Sequence, residues 1–528
     1  INKMRFFTYL VILVFLKISS AANILGLMGC SSPSHQLWNS VIFDELAARG
    51  HNLTILAVDI AEKPPENVHY LHLEETYASL FNDSDAFDLY ESIDANDVAK
   101  IKKLYDYFLY SCRGMLRSKG FEHLWNYPDD YKFDLVLYDI VFGPCLLGFV
   151  HKFNYPPIVG LSAFKLNPGV VDHVGGHSYP GYIPFYIEPF DMDMTFWQRL
   201  HNTGIYVLDE LTKRFYFYPK IEEMVRTVFP PEMPKLTDLE KQTTILLVNT
   251  DPVIDFPEPI PPSVIEVAGL QIKDPKPLPK NLDDFLNKSK DGAIFIAMGT
   301  NVKSQVVGLE RQKAVLEVIS SMPQYNFLWK FDPDAIKGYV PKNVIIQNWF
   351  PQSDLLAHPN LKLFVTHAGS LSVQEAIWNG KPMVGVPLFA DQPRNAQRVV
   401  SQGMGEKIDF VTMRAEDLRN AIEKVLSDSS YTKNAQIRSK LLKDRPIKPL
   451  DKAIWWIEYI LRNSKPEHLK SPVISLGFIR ANSVDILIFI GIIILCITFC
   501  MYQVIRKIIN CHVFQGNQRR KSVKLKQK

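Results

Sequence analysis

Residues 486–505 are dominated by Ile, Leu, Phe, Cys and Val and carry no charge. A helix of that length covers a hydrocarbon core of about 30 Å, so the segment is predicted to cross a membrane, with the span set at 484–505. Arg506 and Lys507 follow at once, and basic residues favour the cytosolic side. The pattern therefore predicts a single-pass, type I protein, with 506–528 cytosolic and everything before the span in a lumen.

The charge distribution agrees. The chain carries 59 Lys+Arg against 56 Asp+Glu, a net +3. Arg506, Lys507, Arg519, Arg520, Lys521, Lys524, Lys526 and Lys528 give the tail +8 with no acid. Lys3, Arg5 and Lys17 give residues 1–22 a further +3, which leaves the stretch between at −8. A basic start, an apolar run at 6–16 and the small residues Ser19, Ser20, Ala21 and Ala22 form the three regions of a secretory signal peptide, assigned to 1–22 with Met4 as initiator. A buried first strand fits this run less well, because a better strand follows at 24–28. In the tail, Lys524-Leu-Lys526-Gln-Lys528 resembles the dilysine retrieval signals of endoplasmic reticulum membrane proteins, the expected location, whereas an ordinary basic tail contacts anionic lipid. A chain with 47% hydrophobic residues is no disordered polyelectrolyte, and nothing in its charge calls for a nucleic acid.

Six cysteines are present. Cys496, Cys500 and Cys511 fall in or after the span, and Cys30, Cys112 and Cys145 precede it. This supplies no disulfide framework and no CxxC zinc pair. Sequons stand at Asn52, Asn82 and Asn287, of which Asn52 lies in a strand-like run and is expected to be inaccessible.

From residue 23 the chain reads strand (24–28), loop (31–34), helix (38–48), turn at Gly50 and strand (53–58), a βαβ unit. Apolar runs recur at 135–138 and 158–161, as in a parallel, doubly wound sheet. The prolines between Pro252 and Pro279 break regular structure and mark a linker. A second series then offers strands at 293–297, 326–329, 344–347, 361–365 and 383–386, and helices at 309–320 and 372–379. The expected division is 23–251 for the first α/β domain, 252–280 for the linker and 281–465 for the second domain. A helix over 451–461 is expected to return to the first domain and to use Trp455 and Trp456 for packing.

The run from Leu363 to Glu375 places a strand end, a His367-Ala-Gly369 turn and a helix that Ser370 or Ser372 is expected to cap. Such a helix start offers unpaired N–H groups and a positive dipole to a phosphate. His367 is suited to donate to a diphosphate oxygen, and Glu375 to accept from two ribose hydroxyls. Upstream, Trp349 offers a face for stacking and Gln352 an amide for a base edge; downstream, Asp391 and Gln392 offer partners for sugar hydroxyls.

Together, Trp349-Phe-Pro-Gln352, Phe364-Val-Thr-His-Ala-Gly369, Ser372, Glu375, Gly380-Lys-Pro382 and Pro387-Leu-Phe-Ala-Asp391-Gln392 resemble the nucleotide-sugar signature of the UDP-glycosyltransferase family, in its animal UDP-glucuronosyltransferase branch, with insect-like features. The resemblance implies two facing Rossmann-like domains of the GT-B type, plus the membrane helix. It implies a donor site in the second domain, where Trp349 stacks on uracil and Gln352 contacts the uridine. Glu375 would hold the ribose, His367, Gly369 and Ser372 the diphosphate, and Asp391 and Gln392 the transferred sugar. Gly299-Thr300 resembles the turn that adds another phosphate contact. Leu371 departs from the asparagine that many members carry, so only its backbone N–H would serve the phosphate.

The acceptor site would lie in the first domain. His35 follows the first strand in a loop and has the chemistry of a general base if a carboxylate orients it. Asp139 ends another strand, and the family's His and Asp dyad falls at these two places. Neither Asp191-Met-Asp193 nor Asp332-Pro-Asp334 follows a clear strand as a metal-binding Asp-x-Asp pair would, and His173 with His177 lacks a completing acid. Metal independence is expected. Gly26-Leu-Met-Gly29 has the wrong spacing for a dinucleotide loop, so no cofactor is expected beyond the UDP-sugar co-substrate.

The expected reaction is an inverting hexosyl transfer to a hydroxyl of a small lipophilic acceptor, as in detoxification or in hormone or pigment conjugation. UDP-glucose is the favoured donor and UDP-glucuronate the alternative. A membrane-lipid glycosyltransferase and a noncatalytic binder of lipophilic ligands are the competing readings. A homo-oligomer stays open.

Overall fold

A computed structural model describes residues 21–526 except 82–92, 94, 166–167, 301–303 and 465. The signal segment up to residue 20 and the Asn82 sequon lie outside the described residues. Two all-parallel sheets dominate. The first runs β3-β2-β1-β4-β5-β6-β7, from β1 (Asn23–Met28), β2 (Asn52–Ala57), β3 (Val68–His72), β4 (Leu135–Asp139), β5 (Ile158–Ser162), β6 (Thr243–Val248) and β7 (Val264–Glu266). The second runs β10-β9-β8-β11-β12-β13, from β8 (Ala293–Ala297), β9 (Asn326–Lys330), β10 (Val344–Gln347), β11 (Leu361–Thr366), β12 (Met383–Gly385) and β13 (Gly405–Lys407).

Each sheet is buried on both faces. Strands β4, β5 and β8 are buried at every residue, which is why they read as continuous apolar runs rather than alternations. In both sheets the order reverses beside the first strand, between β1 and β4 and again between β8 and β11. Ligands of open α/β sheets bind at such points, outside the carboxyl ends of the strands.

Helix α1 (Pro33–Ala48) covers one face of the first sheet and α2 (Asp97–Arg117) the other. Helix α3 (Phe196–Thr212) runs into a five-residue π turn, Lys213–Phe217. In the second unit of sheet and helices stand α4 (Ser304–Ser321), α5 (Gln352–Ala357), α6 (Ser370–Trp378) and α7 (Gln392–Ser401). Helix α8 (Pro449–Arg462) buries Ala453, Ile454, Ile457 and Ile460 in the same core as β1 and α1, so it does return to the first sheet. Trp456 joins that core partly, whereas Trp455 is left 47% exposed and stacks on Tyr459, so only one of the two tryptophans packs as expected.

Several expectations are corrected. The proline-dense stretch is not free of regular structure: β7 forms inside it, because Val264, Ile265 and Glu266 sit between the prolines and pair with Leu246, Leu247 and Val248. Strands β3, β6 and β13 were not foreseen. Cys112 and Cys145 form a disulfide that ties α2 to the loop after β4; an isolated pair with no framework gives no pairing signal. Asn52 is exposed at the open end of β2 rather than shielded by it.

Residues 471–528 form a unit of their own, most of it the helix α9 (Val484–Lys526). Its segment Val484–Gln515 holds an apolar window long enough to cross a membrane, and no residue of that window is buried in protein.

Candidate functional site

The two carboxyl-terminal sheet edges supply the candidate residues from opposite sides. On the first sheet, His35 sits in the first turn of α1, which begins at Pro33, and so is helical rather than in a loop. Proline is favoured at that helix position because its missing N–H would be unpaired anyway. Asp139 is the last residue of β4. His35 Nδ1 lies 3.3 Å from Asp139 Oδ2, and both side chains are buried. Asn39, one turn along α1, donates to the same oxygen at 3.2 Å, and the Val141 N–H donates to Asp139 Oδ1 at 3.2 Å. The carboxylate is thus held from three directions. His35 Nε2 is buried without a hydrogen-bond partner, which leaves it for a ligand. The edges of Phe142 and Phe164 meet the imidazole, with centroids at 5.9 and 4.5 Å.

Those two phenylalanines line a cavity of about 850 Å³ whose lining comes mostly from the first domain and also includes Thr300, Leu388, Phe389 and Asp391 of the second. Neither Asn39 nor the phenylalanines figured in the sequence reading. Asn39 had a signal, its i,i+4 spacing from His35 on α1; Phe142 and Phe164 had none.

On the second sheet, β8 ends before Gly299 (φ 82°) and β11 before His367. A Cβ on Gly299 would come within 2.6 Å of His367 Nε2, and one on Gly369 would meet the same atom, so both glycines make room for the imidazole. Between them Ala368 is held at φ 61°, and Ala390, next to Asp391, at φ 56°. Left-handed backbone at a residue other than glycine is strained and concentrates at functional turns. The Ala368 turn is held by its N–H on Thr366 Oγ1 at 3.3 Å and by its carbonyl, which accepts from Asn395 at 3.0 Å. Burial, with Lys330 adding to it, pushes the His367 pKa down to about 4, so its imidazole is neutral at physiological pH.

Helix α6 starts on Gly369, and no side chain caps it: neither Ser370 nor Ser372 takes that role, contrary to expectation. Ser370 Oγ is buried without a partner, and Ser372 Oγ instead accepts from Gln352 Nε2 at 3.2 Å. The first-turn N–H groups are therefore unspent, the condition for binding an anion. Gln352 Nε2 also donates to Glu375 Oε2 at 2.8 Å. Burial raises the Glu375 carboxyl despite that bond, so a ligand with hydroxyl donors would stabilise its ionised form. Trp349 stands 69% exposed just after β10, its indole face unoccupied by protein.

Asp391 precedes α7, is 8% exposed and accepts from Asn395 at 2.7 Å. Burial raises its carboxyl; Asn395, Lys165 and, more weakly, His35 oppose this, which brings the candidate sugar-holding residue electrostatically within reach of the candidate base. Gln392 spends its side-chain oxygen on the Leu388 N–H at 2.8 Å. Gln374 of α6, which sequence reasoning passed over, crosses between the two sheets. It accepts from the Gly269 N–H at 3.2 Å and donates to the Asn249 carbonyl at 3.2 Å. Leu371 packs on the first sheet's core, a use for an apolar side chain at that position.

Among the described residues two groups could share one ion, Cys30 with His35 and Asp139, and Asp97 with Glu188 and His201. Burial, then the charges of Asp139 and Asp59, push the Cys30 thiol well above its ordinary range, which disfavours the thiolate a metal needs. His173 is buried beside Glu240 and shows no ligand set with His177.

A profile described as "UDP-glucoronosyl and UDP-glucosyl transferase" matches residues 27–520. The chain is 29% identical over 505 residues to a UDP-glucosyltransferase 2 of Dactylopius coccus, covering 94% of each chain. It is 32% identical over 513 residues to the human UDP-glucuronosyltransferase 2B7, covering 90% of this chain and 92% of that one. Among solved structures, the glycotransferase of kitacinnamycin aligns with a TM-score of 0.57 at 17% identity, over 84% of this chain and 99% of that one. Os79 from O. sativa, in complex with UDP, aligns at 0.52 and 16%, over 83% and 100%. These structures fix the fold as two Rossmann-like domains of the GT-B type, and the profile and the relatives fix the family: the chain belongs to the UDP-glycosyltransferases, enzymes that transfer a glycosyl group from a UDP-sugar.

Proposed function

We propose that the chain transfers a hexosyl group, glucose in preference, from its UDP-sugar to a hydroxyl of a small lipophilic acceptor, with inversion and without a metal. The observation that carries this reading is the His35–Asp139 pair, with Nε2 unspent, packed against Phe142 and Phe164, which line an aromatic cavity that Asp391 also lines from the donor side. The acceptor hydroxyl gives its proton to His35 Nε2 while its oxygen attacks the anomeric carbon. The bond from that carbon to the diphosphate breaks, and UDP leaves with the electron pair. Asp139 stabilises the imidazolium, and the unspent N–H groups of α6 with neutral His367 take up charge on the departing diphosphate.

Three pairings favour a neutral sugar over a glucuronate. Around Asp391, Lys165 pairs with Asp255, Arg394 stands 3.7 Å from Glu258, and Arg398 3.6 Å from Asp191. Each cation already has a carboxylate, which weakens its pull on a sugar carboxylate, and Arg394 Nε is the one buried nitrogen among them without a partner. The apolar part of α9 and the basic residues after it support a type I anchor in the endoplasmic reticulum with the cleft in the lumen, a location that suits lipophilic acceptors.

The test is a microsomal assay with UDP-glucose, UDP-glucuronate and UDP-N-acetylglucosamine against mixed phenols, with and without a chelator, reading the anomeric configuration of the product. A β-glucoside formed at an unchanged rate in chelator is expected. A retained α-configuration, or a rate abolished by the chelator, contradicts the mechanism. UDP protection against unfolding with no transfer to any phenol would point to the noncatalytic binder.

A further inference from the structure

The proposed chemistry uses the part of the cavity lined by Phe142 and Phe164, which pack on His35. The same cavity is also lined by Tyr105, His173, Tyr186, Asp209, Lys213 and Glu240, a polar floor under otherwise largely apolar walls. Asp209 comes from the buried face of α3, is 6% exposed, and accepts from the Tyr105 hydroxyl at 2.8 Å. Glu240 is 2% exposed and accepts from the Tyr218 hydroxyl at 2.7 Å, with His173 Nε2 3.6 Å from the same oxygen. Lys213 opens the π turn after α3, a kind of irregularity that concentrates at functional sites, and that turn sets both Lys213 and Phe217 in the cavity wall. Lys213 pairs with Glu210 at 2.8 Å at the protein's edge. His173, buried in the same wall, has an Nδ1 without any partner.

Asp209 and Glu240 each accept one tyrosine hydroxyl, and a carboxyl group has room for further hydrogen bonds. Burial raises both carboxyls. A ligand group that adds a hydrogen bond to such a buried carboxyl is favoured there. Lys213 meanwhile donates. An ammonium on the ligand would meet its charge and a ligand carboxylate would meet Asp209, but a hydroxyl both donates and accepts.

We propose that Asp209, Glu240 and Lys213 form a recognition site for a second hydroxyl of the acceptor, so that the enzyme selects apolar molecules that carry two hydroxyls. One hydroxyl lies at His35 and is glycosylated; the other is held at the floor. This rests on the acceptor-cavity reading given above.

The test uses the full chain in membranes, with para,para-dihydroxybiphenyl and dihydroxyterphenyl each set against its monohydroxy analogue. The expected result is that one diol exceeds its analogue in kcat/KM by about tenfold or more, beyond the factor of two for its second equivalent hydroxyl, because a site built to bind a hydroxyl rejects the molecule lacking it. In Asp209→Asn and Glu240→Gln that ratio should fall toward two through KM, with both variants checked for folding by thermal melting with UDP. Ratios near two in the unmodified enzyme for both skeletons would overturn the proposal. So would variants that lower diol and analogue in equal proportion, the signature of a purely structural role. No transfer to any of the four compounds while UDP still binds would overturn the acceptor-cavity reading and this proposal with it.

Discussion

The two walls of the cleft use the same architecture with opposite materials. The second-domain wall is backbone and short polar side chains: glycines packed on His367, a strained Ala368, an uncapped helix start and a Gln352–Glu375 bond. The first-domain wall is aromatic and aliphatic, with one buried His and Asp pair behind its phenylalanines and a polar floor of Asp209, Lys213 and Glu240. The difference follows from the ligands. Every donor shares a uridine and a diphosphate, which fixed N–H groups recognise well. An acceptor has only a hydroxyl in common with the next one, so its wall recognises shape and can change without disturbing the donor side.

That division is most sharply broken or upheld by His35→Ala. Losing a general base typically removes 10²–10⁴ of rate, and a kcat reduced by about 10³ with UDP affinity unchanged by calorimetry is expected. Weakened UDP binding of similar size would show that the walls are not separable. Glu375→Ala comes next: losing charge-assisted hydrogen bonds to two hydroxyls should raise the donor KM by about 10–100-fold and leave the acceptor KM within about twofold. A larger change in the acceptor KM would place Glu375 outside the donor wall.

The same division governs how much could be read without coordinates. The donor wall comes from one continuous stretch, Trp349 to Gln392, plus Gly299 and Thr300, so its spacing is visible in the chain. Even there, the serines expected to cap α6 do not, because Gly369 starts the helix and Ser372 is taken by Gln352. Strands β1, β4, β5 and β8 were legible because strands buried on both faces are uninterrupted apolar runs. Strands β3 and β6 were passed over although β6 is as fully buried, and β7 and β13 are three residues each, too short to carry a period. The acceptor wall draws on residues from Ser31 to Glu240. His35 and Asp139 stood out by residue type at strand ends, but Phe142, Phe164, Asp209 and Glu240 come together only through the packing of α2, α3 and the loops after β4 and β5.

Gln374→Ala tests whether the walls are held together by the protein rather than by ligand. The side chain is fully buried and bridges Gly269 and Asn249. Leaving those groups unpaired should cost about 2 kcal/mol, seen as a lower melting temperature, with part of the loss restored by saturating UDP. A variant that melts like the parent would mean that Leu371 and α8 suffice to join the halves.

An effect of similar size, seen only as a dependence on pH, concerns the floor of the acceptor wall. Burial pushes the Glu240 pKa up to about 7, from the ordinary carboxylate range near 4.3. Between those values the folded chain keeps a proton that the unfolded chain has lost. The folded state then binds more protons, so stability from this group is present below about pH 4.3 and is lost as pH rises through 7. His173, pushed down to about 3 by burial, acts in the other direction: the unfolded chain is protonated below about 6.5 while the folded one is not, so its contribution is present above 6.5 and lost as pH falls. The two slopes oppose each other in the parent. Glu240→Gln removes one of them while leaving Tyr218 an oxygen to donate to, so the variant should gain on the parent by about 1–3 kcal/mol between pH 5 and 8, read as a difference in melting temperature. A difference that is flat with pH would mean that Glu240 is ionised at neutral pH in the folded chain. The floor would then present a permanent charge to the acceptor, and the two walls would differ less than their lining residues imply.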